Sequence, residues 1–232
     1  MTLRMYDLAG ADPARRFSPF CWRSKLALAH KGLAVETLPW RFTETDALQP
    51  SEQGRVPVLV DGGTWIADSW AIALHLEEKY PDRPSLFGGA ASIPVTRFVN
   101  SWMDTVIHPL LARLVVHDIH EHIADKDKAY FRTSREQRFG KTLEATQAER
   151  EQVVAQFRQA LQPLRATFTA AQPYIGGARP MYADYIAAGG FLWVRAVSRF
   201  QLLSADDPLD VWRQRMLDAC GGLARRSPGY GD

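Results

Sequence analysis

The stretch Gly54-Arg55-Val56-Pro57-Val58-Leu59-Val60-Asp61-Gly62-Gly63-Thr64-Trp65-Ile66-Ala67-Asp68-Ser69 decides the fold. Val56 to Val60 is a strand-type apolar run, Asp61-Gly62-Gly63 reverses it, and Thr64 to Ala67 returns, which together read as a β-hairpin. Asp68-Ser69 then opens a helix that reaches about Lys79. Pro57 demands explanation because it has no N–H to give to a sheet. It argues either for an edge strand that starts with proline, or for a cis peptide that turns the backbone of Val56 outward, where a peptide ligand can pair like an added strand.

Upstream of the hairpin, residues 3–8 read as a strand followed by a polar loop through Arg16. Ser18 and Pro19 then start a helix that runs to about His30, with Trp22, Leu26 and Ala29 on one face and Gly32 as its terminator. Residues 35–40 form a second strand, and residues 43–53 a loose polar segment. The order is βαβ followed by ββα. Near residue 81 the pattern changes. Pro81-Asp82-Arg83-Pro84-Ser85-Leu86-Phe87-Gly88-Gly89 cannot continue a helix, and beyond it helical periodicity dominates. One helix is expected from about Val95 through Val116, bent near Pro109. A long one follows over residues 134–171, bent at Pro163, then an all-round apolar helix over residues 182–197 that belongs at the centre of a bundle. A last helix covers residues 208–223, and residues 227–232 form a loose tail. The expected organisation is an α/β domain over residues 1–82, a linker over 83–93 and an all-α helical bundle over 94–232.

The 232 residues are 46% apolar, enough for a core that needs no disulfide or metal. Lys and Arg total 28 against 26 Asp and Glu, for a net charge of +2, which excludes nucleic acid as the expected partner. No apolar run is long enough to cross a bilayer, and residues 1–7 lack the apolar core of an export signal. Cys21 and Cys220 are far apart in the chain, so the expectation is a reducing, cytoplasmic setting.

Three features carry chemistry. The first is Ser18-Pro19-Phe20-Cys21 at a helix start, where unpaired N–H groups and the helix dipole stabilise a sulfur anion and the Ser18 hydroxyl adds a hydrogen bond. An ordinary N-cap is the plain alternative, and Cys21 reads more simply as a small buried residue than as a redox thiol. The second is the Val56-Pro57 peptide. In the third, Asp68-Ser69, backbone N–H groups and a hydroxyl can seat a carboxylate while the aspartate holds an amine, which suits an α-amino acid; the alternative is a helix cap. The run His117-Asp118-Ile119-His120-Glu121-His122 has the residue types of a metal site but not the spacing, so no metal is expected.

In their order and spacing these residues resemble the thioredoxin-like N-terminal domain of glutathione transferases. The resemblance implies that Ser18 activates the glutathione sulfur, with Tyr6 as its rival. It further implies that Phe20 lies beside the tripeptide, that Val56 before a cis Pro57 pairs with the cysteinyl backbone, and that Asp68 and Ser69 hold the γ-glutamyl end. Arg41, Gln53 and Arg55 are open alternatives for the glycyl carboxylate. The runs Ser18-Pro19-Phe20-Cys21-Trp22-Arg23-Ser24-Lys25, Asp68-Ser69-Trp70-Ala71-Ile72-Ala73 and Tyr182-Ala183-Asp184-Tyr185 are similar to those of the bacterial β-etherase-type and fungal Fua-type transferases. That likeness implies transfer of glutathione to a small, hydrophobic, aromatic electrophile, with β-aryl ether cleavage as one form, and a homodimer. Trp102, His108, Tyr185 and Trp193 are the residues expected at the acceptor site, burial in the core being the alternative. A non-catalytic binding protein on the same fold is the second functional reading, and a thiol oxidoreductase the third, which requires Cys21 to be exposed. The position three before Asp184 is Met181 rather than a hydroxyl residue, so only half of a reciprocal helix cap is expected there.

Overall fold

The structure, a computed structural model, describes residues 3–231. Met1 and Thr2, which begin the leader reading, and Asp232, which ends the expected tail, lie outside them. Four strands form one sheet in the order β2-β1-β3-β4, where β1 is Leu3–Leu8, β2 Val35–Trp40, β3 Val58–Asp61 and β4 Thr64–Ala67. β1 pairs parallel with β2 from Leu3↔Val35 to Leu8↔Trp40, and antiparallel with β3; β4 closes the hairpin on β3. Every residue of β3 is buried because it is an internal strand, so an edge strand beginning at Pro57 is ruled out. The Val56-Pro57 peptide is cis.

Helix α1, Pro19–His30, and helix α2, Ser69–Lys79, complete the sheet-bearing half. α1 has no free polar face: Arg23, Ser24 and Lys25 are buried alongside Trp22, Leu26 and Leu28. The polar segment before the hairpin holds a short 3₁₀ helix, Thr45–Ser51, anchored by the fully buried Leu48. Residues 81–91 are pinned rather than loose: Glu77 accepts from the Leu86 N–H at 2.9 Å and from the Ser85 hydroxyl, while the Leu86 carbonyl accepts from the Tyr182 N–H.

The remainder is helical, with α3 at Ser92–Trp102, α4 at His108–His122, α5 at Asp125–Phe139, α6 at Leu143–Ala148, α7 at Arg150–Ala160, α8 at Gln162–Thr167, α9 at Tyr182–Val197 and α10 at Leu209–Gly222. One expectation is sharpened here and one is corrected. The bend near Pro109 is a π-helical turn, Met103–Ile107: Pro109 has no N–H to return to the Thr105 carbonyl, and the helix widens ahead of it before continuing to His122. The expected long helix over residues 134–171 is four helices. Gly140 in the left-handed region ends α5, Thr142 caps α6 by accepting from the Ala145 N–H, and Pro163 sits in the first turn of α8.

α9 runs through the centre with 14 of its 16 residues buried. Asp184 in its first turn accepts four N–H bonds, from Ile175, Gly176, Met181 and the Trp212 indole, at 2.8 to 3.1 Å. Asp184 thus closes its side of the cap at the Met181 N–H, and the spare carboxylate valence ties down the preceding loop and α10. α10 itself breaks at Ala219–Gly221, where Cys220 and Gly221 adopt positive φ. The tail is docked, which corrects the reading of residues 227–232 as loose. The Tyr230 N–H donates to the Arg195 carbonyl at 2.7 Å, and its ring lies 5.1 Å from both the Arg15 and Arg199 guanidinium carbons. No helix among the described residues is long and apolar enough to cross a membrane.

The two halves meet where α1 crosses α9. A Cβ on Gly189 would stand 2.5 Å from the Pro19 carbonyl oxygen, a backbone atom that cannot swing away. A Cβ on Gly190 would meet Leu111 Cδ1 at 2.9 Å, the far end of a flexible side chain. Alanine gains about 1 kcal/mol of helix propensity over glycine, whereas overpacking costs about 1–3 kcal/mol. Gly189→Ala should therefore lower the melting temperature by roughly 2–8 °C, and Gly190→Ala by less, as read by calorimetry; equal or reversed shifts would contradict this account of the crossing.

Candidate active site

The first turn of α1 is built from the cap outward. Ser18 takes an extended backbone, its Oγ accepts from the Cys21 N–H at 3.2 Å, and Pro19 occupies the first helical position where no donor is lost. Oγ uses a lone pair for that bond, so the hydroxyl proton remains to be donated. Ser18 is only 3% exposed, and what it faces is a cavity of about 430 Å³ between the sheet edge and α4 and α5. Larger clefts of about 770 and 690 Å³ lie around residues 198–201 and Tyr230, and Ser18 reaches neither.

One wall of the Ser18 cavity comes from the α/β half: Phe20, Trp40, Phe42, Arg55 and Val56. The other comes from the helical half: Asp104, His108, Tyr130, Phe131, Ser134, Arg135, Arg138, Phe139 and Trp193. The structure thus brings together five of the residues expected from the sequence, Ser18, Phe20, Arg55, Val56 and His108, with Trp193 as a sixth. His108 is held edge-on to Phe20 at 5.2 Å and to Trp193 at 6.1 Å.

A charged network stands behind His108. Arg23 is 1% exposed and donates to Asn100 Oδ1 at 2.9 Å and to Asp104 Oδ1 at 2.7 Å, while the Asn100 amide donates to Asp104 Oδ2 at 2.9 Å. The Arg23 guanidinium also lies 3.5 Å from His108 Nε2, and because arginine only donates, Nε2 is the accepting nitrogen and Nδ1 carries the proton. Burial and the Arg23 charge hold the His108 pKa well below the usual imidazole value, so the ring is neutral at neutral pH.

Other expected residues fall elsewhere. Asp68 and Ser69 are off this cavity: Asp68, at φ +78, caps α2 by accepting from the Trp70 and Ala71 N–H groups, and the Ser69 carbonyl accepts from the Tyr182 hydroxyl at 2.6 Å. Pro57 is buried behind Val56 and its carbonyl accepts from the Asp68 N–H. Gln53 reaches the Arg55 carbonyl, while Arg41 is turned toward Glu44 and the Ala11 carbonyl. Tyr6 stacks on Trp65 at 5.7 Å and is not in the cavity wall. Tyr185 and Trp102 also require correction as acceptor-site residues. Tyr185 is 1% exposed, with its hydroxyl 2.6 Å from His30 Nδ1, and Trp102, half-buried against the core, is absent from the cavity lining.

Cys21 is fully buried, and burial together with the Asp7 charge pushes its thiol far above the range in which a thiolate forms, so the oxidoreductase reading loses its nucleophile. Both cysteines are free. In the His117–His122 run, His117 and His120 stack at 6.2 Å, with His117 beside Glu144, while His122 turns away to the Tyr230 hydroxyl. No cluster of three potential metal ligands occurs among the described residues. Sequence reasoning missed the α5 wall and the Arg23–Asn100–Asp104 network. A signal for the first existed in Tyr130, Ser134, Arg135 and Arg138, which recur at helical spacing.

Two domain-family models match the chain in order. One, described as glutathione S-transferase, N-terminal domain, covers residues 14–84; the other, glutathione S-transferase, C-terminal domain, covers residues 95–208. A zeta-class glutathione S-transferase of Euphorbia esula is 32% identical over 112 residues, which are 46% of this chain and 50% of that protein. The chain spans about half the length of the curated relatives it matches. Among solved structures, glutathione transferase GSTFuA3 of Phanerochaete chrysosporium superposes with a TM-score of 0.77 over 96% of this chain and 92% of that one, at 22% identity. A glutathione S-transferase of Ceriporiopsis subvermispora, solved in complex with glutathione, gives 0.78 over 97% and 94%, at 21% identity. With both domain families matched in sequence order and the fold shared along almost the whole chain, the protein belongs to the glutathione S-transferase superfamily.

Proposed function

We propose that the chain binds glutathione with its sulfur at the N terminus of α1 and transfers it to a small aromatic electrophile held between Phe20, His108 and Trp193. The observation that carries this reading is a single juxtaposition: a helix-capping serine hydroxyl opens on a cavity into which Phe20, Trp40, Phe42, Tyr130 and Trp193 all project. A thiol titrates near 8.5, and lowering that by one unit requires only about 1.4 kcal/mol, within the reach of one hydroxyl and a helix dipole. The Val56 backbone is assigned to the cysteinyl residue, Asp68 and Ser69 to the γ-glutamyl end, and Arg55 with Gln53 to the glycyl carboxylate. In the transfer step the thiolate forms a C–S bond and the leaving group departs with its bonding pair; in a β-aryl ether that group is an aryloxide, which then takes a proton from water. The unpaired Cys21 and Cys220 suit a cytoplasmic setting.

We also propose a homodimer through the outer face of α3. Val95 is 66% exposed and Phe98 73%, on the same face as Trp102, and Val106 and Leu74 add to an apolar surface that a soluble monomer rarely leaves open.

Three outcomes are expected. Ser18→Ala should reduce kcat about tenfold to a hundredfold, as loss of one hydrogen bond to a charged sulfur implies, while glutathione affinity by calorimetry changes much less. An unchanged rate, set against Tyr6→Phe, would transfer the role elsewhere, and binding without turnover across an electrophile panel would favour a non-catalytic protein. The pH profile of kcat/KM should rise with pH as the thiol ionises and show no imidazole inflection between about pH 5.5 and 7.5, because His108 is already neutral. Phe98→Glu should yield monomers in sedimentation equilibrium, with a wild-type monomer as the contrary result.

A further inference from the structure

The helical wall of the cavity carries cations without counter-ions. On α5, Arg132 is paired with Glu136 and Glu144, yet no carboxylate among the described residues lies within ion-pair distance of Arg135 or Arg138, which turn to the cavity. Arg135 is half-buried, and burial pushes its guanidinium below the usual arginine value. Its carbon lies 4.6 Å from the Phe131 ring centroid and 5.2 Å from that of Phe42, and one of its nitrogens donates to Ser134 Oγ at 2.8 Å. Rings against the guanidinium hold its plane and leave edge N–H donors for a planar oxyanion. Arg138, three residues on, falls on the same helical face.

A half-buried cation in an apolar cavity is costly until something neutralises it. Asp104, the carboxylate in the cavity wall, already serves Arg23. We infer that the acceptor bound here is an aromatic compound bearing an oxyanion, a carboxylate or sulfonate, received by Arg135 and Arg138. The inference rests on the reading of this cavity as the acceptor site. The tripeptide's own carboxylates are the other source of the same chemistry. They are assigned to Arg55, Gln53, Asp68 and Ser69 on the α/β side, whereas Arg135 and Arg138 stand on α5 across from it.

The test is calorimetric titration of the full chain with 4-nitrobenzoate and with its neutral methyl ester, neither of which needs glutathione or turnover for a reading. The expected result is binding of the acid at least about tenfold tighter than the ester, a preference lost in Arg135→Gln, partly kept in Arg135→Lys and reduced in Arg138→Gln. Ester affinity unchanged in the variants shows that the cavity is intact, and glutathione affinity in Arg135→Gln should stay within about twofold of wild type. Equal affinity of wild type for acid and ester overturns the proposal. So does an acid preference that survives Arg135→Gln while glutathione binding falls, which hands the arginine to the tripeptide. Wild type that prefers the acid but never binds glutathione would sink the transferase reading and leave the oxyanion subsite standing.

Discussion

The Pro19 carbonyl resting against Gly189 sets the geometry of everything that follows. Two backbones in contact cannot slide as two side chains can, because neither has a rotamer to exchange. The contact lies in the first turn of α1, so it fixes the Ser18 hydroxyl against the helical half rather than leaving it on a hinge between two halves. His108 and Trp193, on α4 and α9, then face Ser18 across one cavity because α9 is the element both halves share.

That crossing explains why α1 is charged and buried at once. Squeezed between the sheet and α9, it has no side left for solvent, yet it carries Arg23, Lys25 and Lys31. Each meets a carboxylate from another element: Arg23 meets Asp104 of the π turn, Lys25 meets Asp7 of β1 at 2.8 Å, and Lys31 meets Glu77 of α2 at 2.9 Å. Buried ion pairs add little net stability relative to apolar contacts, but removing one partner leaves an uncompensated charge, so they act mainly as registration marks. Here they specify how α1 lies against β1, α2 and the π turn. The Arg23 mark also settles the tautomer of His108 and adds to the burial that keeps the ring neutral.

Local signals made the sheet-bearing half legible. Strand runs, the Asp-Gly-Gly reversal and the Ser18 cap each show within a few residues, whereas the Pro57 anomaly left two readings that the internal position of β3 resolves. The helical half was harder for a stated reason. Periodicity alone passed across Gly140 and the Thr142 cap and merged four helices into one, while the polar start of α5, Asp125-Lys126-Asp127-Lys128, hid a helix in which Asp127 and Phe131 are the buried residues. The loose tail was misread because its anchor, Tyr230 between Arg15 and Arg199, depends on residues far away in the chain. Tyr185 and Trp102 shared the aromatic character of the acceptor wall but not its face, and helix orientation is a property of packing that composition does not carry.

The two walls of the cavity divide the chemistry between them. On the α/β side the groups nearest the sulfur are the Val56 backbone and one capping hydroxyl, positions tied to the sheet and the start of α1, where a change disturbs the fold as well as the site. On the helical side they are side chains on α4 and α5, each replaceable without breaking a backbone hydrogen bond. A thiolate site built from the first kind is expected to tolerate little variation, and an acceptor site built from the second to tolerate much. Arg135 and Arg138 belong to the second kind, and they lie on a helix anchored by Phe131 in the core and by the buried Asp127, which accepts from the Thr43 N–H and hydroxyl. Arg135 packs against Phe131 and Phe42, and with no carboxylate among the described residues beside it or Arg138, both charges stay open to the oxyanion proposed above.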